Sequence, residues 1–255
     1  MPVKTANALS MAARRTALRY GSCMVVVLFD IDGTLLDAGG AGRAALVAAM
    51  RDELGPDVPE AEVAIAGRTD RGILRDLLAA YDLPGDEENF ARLLRMYLGH
   101  LPGELKKATG RILDGVPELL EALVAMEDVH LGLLTGNVQV AAQAKLEHLG
   151  IRTPFPFGGF GDDHADRGDV AAAAIADAER HLGCAVPADR VVVLGDTRND
   201  IRCARAVDAA VIAVETGFAS PDELRDEGAD LQLKDFSDPE PVLEFVRARR
   251  MSSVR

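Results

Sequence analysis

The sequence predicts an α/β protein, a doubly wound parallel sheet with an all-helical segment inserted after its first strand. Three observations carry that expectation. Val25-Val26-Val27-Leu28-Phe29 is a continuous apolar run opening on three β-branched residues, the pattern of a strand buried on both faces. From Ala41 to Leu98 apolar residues recur only at helical spacing. From Ile112 onward, helical and strand patterns alternate, as βαβ units require.

In chain order, the first strand stops at Asp30-Ile31-Asp32-Gly33-Thr34, and a glycine-rich stretch, Asp37 to Gly42, follows. Gly40-x-Gly42-x-x-Ala45 has the outline of a dinucleotide fingerprint. It does not follow a strand directly, so it reads as a hinge or helix lead-in. Three helical stripes come next: Leu46, Met50 and Leu54; Ile73, Leu74, Leu77, Leu78 and Tyr81; Phe90, Leu93, Leu94, Tyr97 and Leu98. Gly55-Pro56 and Leu83-Pro84-Gly85 separate them, and Leu101-Pro102-Gly103 is expected to close the insert. Beyond it, the pattern predicts a helix from Val116 to Met126, a strand His130–Leu134 and a helix Val138–Leu149. A weak strand near Phe157, a helix from about Val170 to Leu182 and a strand Arg190–Leu194 come next. A helix through Ala206 and a strand Ala209–Val214 complete the series. The segment after Gly217 reads as closing helices without chemistry. The domain expectation is therefore a basic N-terminal extension over 1–23, a core of 24–37 and 103–255, and a cap over 38–102.

Composition narrows the function. The chain has 255 residues and a formal net charge of −13, a field that repels nucleic acid and anionic membrane surfaces. Its three cysteines, Cys23, Cys184 and Cys203, show no metal-ligand spacing and read as reduced thiols of a cytoplasmic protein. No apolar run is long enough for a membrane span. Residues 1–22 hold Lys4, Arg14, Arg15 and Arg19 and no acid. That leader reads as a disordered tail or as sequence upstream of a start at Met24, with a transit peptide as the alternative.

The chemistry lies at the predicted strand ends. Asp30 and Asp32 repel one another, and burying them at a sheet end is costly. A divalent cation relieves that cost, leaving one acid to attack and the other to shuttle a proton. Gly33 and Thr34 allow a tight turn and offer N–H and hydroxyl donors to an anion. Leu134-Thr135-Gly136-Asn137 ends the next strand at a helix start, which is either an anion site or a simple N-cap. Asp166-Arg167-Gly168-Asp169 opens the alanine-rich helix and supplies a cation. Gly195-Asp196-Thr197-Arg198-Asn199-Asp200 places two acids where both can face one metal ion. Asp162-Asp163-His164 reads as a solvated loop.

Asp30-Ile31-Asp32-Gly33-Thr34-Leu35 resembles the signature of the haloacid dehalogenase-like hydrolase superfamily, in particular its phosphatases, and the later motifs extend the resemblance to about Val214. It implies a Rossmann-like core. It also implies that Asp30 is the nucleophile forming an aspartyl-phosphate and that Asp32 is the general acid and base. Thr135 would hold the transferring group, with Gly136 and Asn137 beside it. The superfamily usually places a lysine where Arg167 is the candidate here. A Mg²⁺ ion would be held by Asp30, the main-chain carbonyl of Asp32, and Asp196, with Asp200 as an outer ligand acting through water or as the residue orienting the loop. An acid at Asp32 favours phosphate esters over halides, and Lys106 and Lys107 lack the setting of an imine-forming lysine. The insert resembles the cap of phosphoglycolate-phosphatase-like and β-phosphoglucomutase-like members, with Arg68 a candidate for a substrate carboxylate or second phosphate. The leading expectation is a phosphatase of a small phosphorylated metabolite, monomeric or homodimeric. A phosphomutase and a non-catalytic phospho-switch are the alternatives.

Overall fold

A computed structural model describes residues 24–251. The basic leader, its Cys23 and the alternatives raised for it lie outside the described residues. β1 (Val25–Phe29) is fully buried. Its alternation sends Val25, Val27 and Phe29 into one apolar layer and Val26 and Leu28 into the other, which is what a continuous apolar strand between two helical layers must do.

Among the described residues six parallel strands form one sheet in the order β5-β4-β1-β6-β7-β8: β4 Val129–Leu134, β5 Gly158–Gly159, β6 Val191–Gly195, β7 Ala210–Val214 and β8 Leu231–Leu233. The expected doubly wound sheet is therefore present. β1 lies at its centre: the chain winds outward from it through β4 to β5, crosses back to β6 on its other side and winds outward again through β7 to β8, and this reversal opens a crevice at the carboxyl end of β1.

The helical insert leaves and returns through two short antiparallel strands, β2 (Leu36–Asp37) and β3 (Arg111–Ile112). Between them run α1 (Ala41–Leu54), α2 (Asp70–Ala80) and α3 (Glu87–Lys107). Leu46, Met50, Leu74, Leu78, Phe90 and Tyr97 bury the predicted stripes, while Leu54, at the end of its helix, is 40% exposed. α3 does not stop at Leu101-Pro102-Gly103 but runs through Pro102 to Lys107, with Leu101 and Leu105 both buried. Apolar packing at those two positions outweighs the backbone bond that a proline gives up.

The core helices are α4 (Val116–Val124), α5 (Gln139–Leu149), α6 (Arg167–Leu182), α7 (Arg198–Ala206), α8 (Pro221–Glu227) and α9 (Glu240–Met251). The segment after Gly217 is not helical throughout. β8 pairs with β7 as the sheet's last strand, and its half-buried Leu-Gln-Leu is too short a pattern to read.

Candidate active site

Three of the four chemical motifs follow strands of the central crevice, and the fourth opens a helix beside it. Asp30 directly follows β1, and its amide donates to the carbonyl of Leu194 on β6 at 2.9 Å, fixing the carboxylate beside the end of that strand. Gly33 turns the chain with φ +86, and a side chain there would meet Asp196 Oδ2 at 2.5 Å, so only glycine lets the acidic loop approach β6 this closely. Thr135 directly follows β4, and Asp196 directly follows β6.

Asp30, Asp196 and Asp200 are all buried, with one carboxylate oxygen of each lying within 4.8 Å of the others. Burial, reinforced by Asp200 and Asp32 and opposed by Arg167, pushes the Asp30 carboxyl up to about 7. Burial, then Asp200 and Asp30, likewise hold Asp196 well above the ordinary carboxylate range. A buried all-oxygen, all-acid donor set of this kind fits a hard divalent cation.

Arg167 opens α6 and is the cation that enters this cluster. Its Nη2 lies 3.5 Å from Asp30 Oδ1 and is hydrogen-bonded to Asp200 Oδ1. Burial alone would ease the proton off, but Asp200 and Asp30 more than offset it and hold Arg167 charged. Asp200 uses its other oxygen to accept from the amide of Thr197 at 2.9 Å and from its hydroxyl at 2.6 Å. With both oxygens engaged, Asp200 orients the loop that carries Asp196. Asp196 accepts from the Thr34 hydroxyl at 3.3 Å and from the amide of Phe218 at 2.9 Å.

Several expectations need correction. The Thr34 hydroxyl, expected to serve a bound anion, donates here to the carboxylate of Asp196. Phe218 shows that the segment after Gly217 does reach the site. The carboxylate of Asp32 stands outside the acid cluster, accepting from Asn137 Nδ2 at 2.8 Å and Lys145 Nζ at 2.6 Å. Asn137 also donates to Thr135 Oγ1 at 2.9 Å. The helix cap falls on Val138, so neither Thr135 nor Asn137 caps α5 through its side chain. Gly136 is a packing position: a Cβ there would lie 2.0 Å from the Arg68 carbonyl oxygen, so the cap loop closes directly on it. Arg68 itself donates to Asp76 at 2.7 Å. It nonetheless lines, with Arg167, Asn199 and Arg202, a cavity of about 320 Å³ between the cap loop and the start of α6. Thr69 caps α2, accepting from the amide of Gly72 at 3.1 Å.

Two buried charges are not evident from the sequence. Lys145 falls on the buried stripe of α5 with Ala141, Ala142 and Leu146, and that register is the available signal. Asp70 opens α2 and is readable from sequence only as a capping acid. Its carboxylate accepts from the amide of Val138 at 2.8 Å, joining cap to core.

Fold and site together define a hydrolase built on an acidic crevice at the end of a central parallel strand. Residues 24–208 match the haloacid dehalogenase-like hydrolase family, and the chain belongs to that family, as a phosphatase. It is 30% identical over 201 residues to a phosphoglycolate phosphatase of Rhodospirillum rubrum, an alignment spanning 76% of this chain and 80% of the relative. It is likewise 30% identical to a 5'-nucleotidase of Pseudomonas aeruginosa, over 83% of this chain and 90% of that one. A crystal structure of a predicted phosphatase from Clostridium acetobutylicum shares the fold with a TM-score of 0.66, at 23% identity, covering 88% of this chain and all of that one.

Proposed function

We propose that the chain is a Mg²⁺-dependent phosphatase that hydrolyses a small phosphorylated metabolite through an aspartyl-phosphate on Asp30. The observation that carries this reading is the position of Asp30, buried at the end of β1 and grouped with Arg167, Asp196 and Asp200. A Mg²⁺ ion would be held by Asp30, Asp196 and the main-chain carbonyl of Asp32, with Asp200 behind them. When bound, it supplies positive charge against the carboxylate cluster and the incoming phosphate.

The chain's own groups account for every proton and phosphoryl transfer. A carboxylate oxygen of Asp30 attacks phosphorus, the ester P–O bond breaks, and the leaving oxygen takes the proton of Asp32. Asp32, now a carboxylate, takes a proton from water. The resulting hydroxide attacks phosphorus, and the bond to Asp30 breaks to release inorganic phosphate. Arg167 holds the nucleophile in place and balances charge that builds on the transferring group. Thr135, at the adjacent strand end, would steady that group through its hydroxyl. The cap excludes water from the crevice through contacts such as the Arg68 carbonyl on Gly136. Arg68 lines the neighbouring cavity, where a carboxylate or second phosphate of the substrate could lie.

The test is phosphate release from a panel of small phosphate esters, with Mg²⁺ and with chelator, beside an Asp30→Asn control. Phosphoglycolate heads the panel because the R. rubrum relative carries that activity in its name. Mg²⁺-dependent release that disappears in the variant supports the reading. Folded protein that binds Mg²⁺ and releases phosphate from no ester overturns it.

A further inference from the structure

We infer that Lys145 is a positioning residue that acts through Asp32, holding that carboxylate by one oxygen so that the other meets the leaving group. The inference rests on the phosphatase reading above and concerns a residue that lies outside the acid cluster.

Lys145 is 5% exposed and sits on the core-facing stripe of α5. An ammonium group in such a place is costly unless it is paired and hydrogen-bonded, and an apolar side chain would fill the position without that cost. The groups it meets explain its presence. Its Nζ donates to Asp32 Oδ2 and to Asn137 Oδ1, each at 2.6 Å. Asn137 Nδ2 donates to the same Asp32 Oδ2 at 2.8 Å, so the three side chains close a ring. Two donors converge on Oδ2, and among the described residues no hydrogen bond falls on Oδ1. A carboxylate held this way cannot rotate freely, and Oδ1 is the oxygen left to pass a proton.

The cap completes the enclosure. A Cβ built at Gly42 on α1 would lie 3.7 Å from Lys145 Nζ and 3.9 Å from the hydroxyl of Tyr97 on α3. The ammonium is therefore walled in by two cap helices and two core groups. The proton-transfer oxygen is fixed from behind, while the phosphoryl site is built from other residues, namely Asp30, Arg167 and Asp196.

Such a role has a kinetic signature that general loss of structure lacks. An alkyl phosphate needs its leaving oxygen protonated, whereas p-nitrophenyl phosphate departs as a stable phenolate. For Lys145→Met, kcat/KM for an alkyl ester such as phosphoglycolate should fall about 100-fold, the lower range for a lost general acid, and that for p-nitrophenyl phosphate only a few-fold. Lys145→Arg should restore part of the alkyl activity. In an Asp32→Asn background the same Lys145→Met change should have little further effect, because the two act in series. Equal losses on both esters, a change confined to KM, or a full additional loss in the Asp32→Asn background would each overturn the inference while leaving the phosphatase reading intact. A wild-type enzyme inert toward both esters would remove the reading and the inference with it. Should Lys145→Met fail to fold, Lys145→Gln is too short to span Asp32 and Asn137 together and is judged by the same ratio of esters.

Discussion

The guanidinium of Arg167 lies 3.5 Å from the carboxylate of Asp30, although the two belong to elements more than a hundred positions apart in sequence. Because the same nitrogen is bonded to Asp200, one side chain ties the start of α6 to the ends of both β1 and β6. Both contacts come from the single nitrogen Nη2, and Nε is buried without a hydrogen-bond partner, so the guanidinium meets the two acids end-on rather than as a bidentate fork.

Removing this guanidinium should cost both rate and stability. Arg167→Ala leaves Asp30 and Asp200 buried without their cation, and losing one partner of a buried pair costs about 3–5 kcal/mol. The expected outcome is a fall in turnover of at least about 100-fold, with a clear drop in the urea midpoint. Arg167→Lys should lie between the variant and wild type. A near-normal rate in folded Arg167→Ala protein would show that another cation serves the transferring group.

Asp30→Asn should separate chemistry from folding. The Asp30 carboxyl is pushed up to about 7 by burial, with Asp200 and Asp32 adding to the effect and Arg167 opposing it, so the ionised acid strains the metal-free fold. The amide is nearly isosteric and carries no charge to repel its neighbours. Thermal melting without metal should show a midpoint equal to or above that of wild type, while phosphate release falls to background. Appreciable turnover in clean variant protein would remove Asp30 from the role of nucleophile.

Much of this site is legible because it is local in sequence. The run Val25–Phe29 can be nothing but a buried strand, and acids that follow such a strand by one and three residues must crowd its end. Asp196 and Asp200 are legible for the same reason, as a strand-end loop leading into a helix. What escapes depends on tertiary placement. A lysine within a helix reads as solvated unless the buried stripe is known, and Lys145 becomes conspicuous only once α5 is seen packed under the cap. Pro102 reads as a terminator because local propensity says so, yet buried Leu101 and Leu105 carry the helix onward. β8 is a three-residue edge strand, shorter than any period can reveal. The hydroxyl of Thr34 and the side chain of Arg68 look available to a ligand in sequence, but protein carboxylates already engage them.

The acid cluster predicts a stability response to metal. A ligand that binds only the folded state stabilises by about 2.7 kcal/mol at 100 times its dissociation constant. For a chain of this length that corresponds to a rise in Tm of roughly 5–10 °C. Saturating Mg²⁺ should produce such a rise in wild type, and chelator should reverse it. Asp196→Asn, which removes a buried charge from the donor set, should abolish most of the shift. An identical shift in wild type and variant would place the ion elsewhere.

The contact between Asp70 and Val138 predicts a pH dependence of the joint between cap and core. The Val138 amide donates to Asp70 Oδ2 at 2.8 Å, and the Asp70 amide donates to the Gly136 carbonyl at 2.7 Å, so the start of α2 is tied to the β4–α5 turn in both directions. Burial raises the Asp70 carboxyl from 3.8 to about 6, with Asp32 and Asp162 adding to the rise and Lys145 and the Val138 bond opposing it. Between those two values the folded chain binds the proton that the unfolded chain releases. The contribution to stability is therefore complete below pH 3.8 and is lost as the pH climbs past about 6. An asparagine keeps an acceptor for Val138 and has nothing to titrate. Asp70→Asn should thus gain on wild type between pH 4 and 7, by up to roughly 3 kcal/mol, since a tenfold change in acidity is worth about 1.4 kcal/mol. Urea midpoints of both proteins across that range provide the measurement. A difference between them that stays flat with pH would mean that the Asp70 carboxyl keeps its ordinary value within the closed joint.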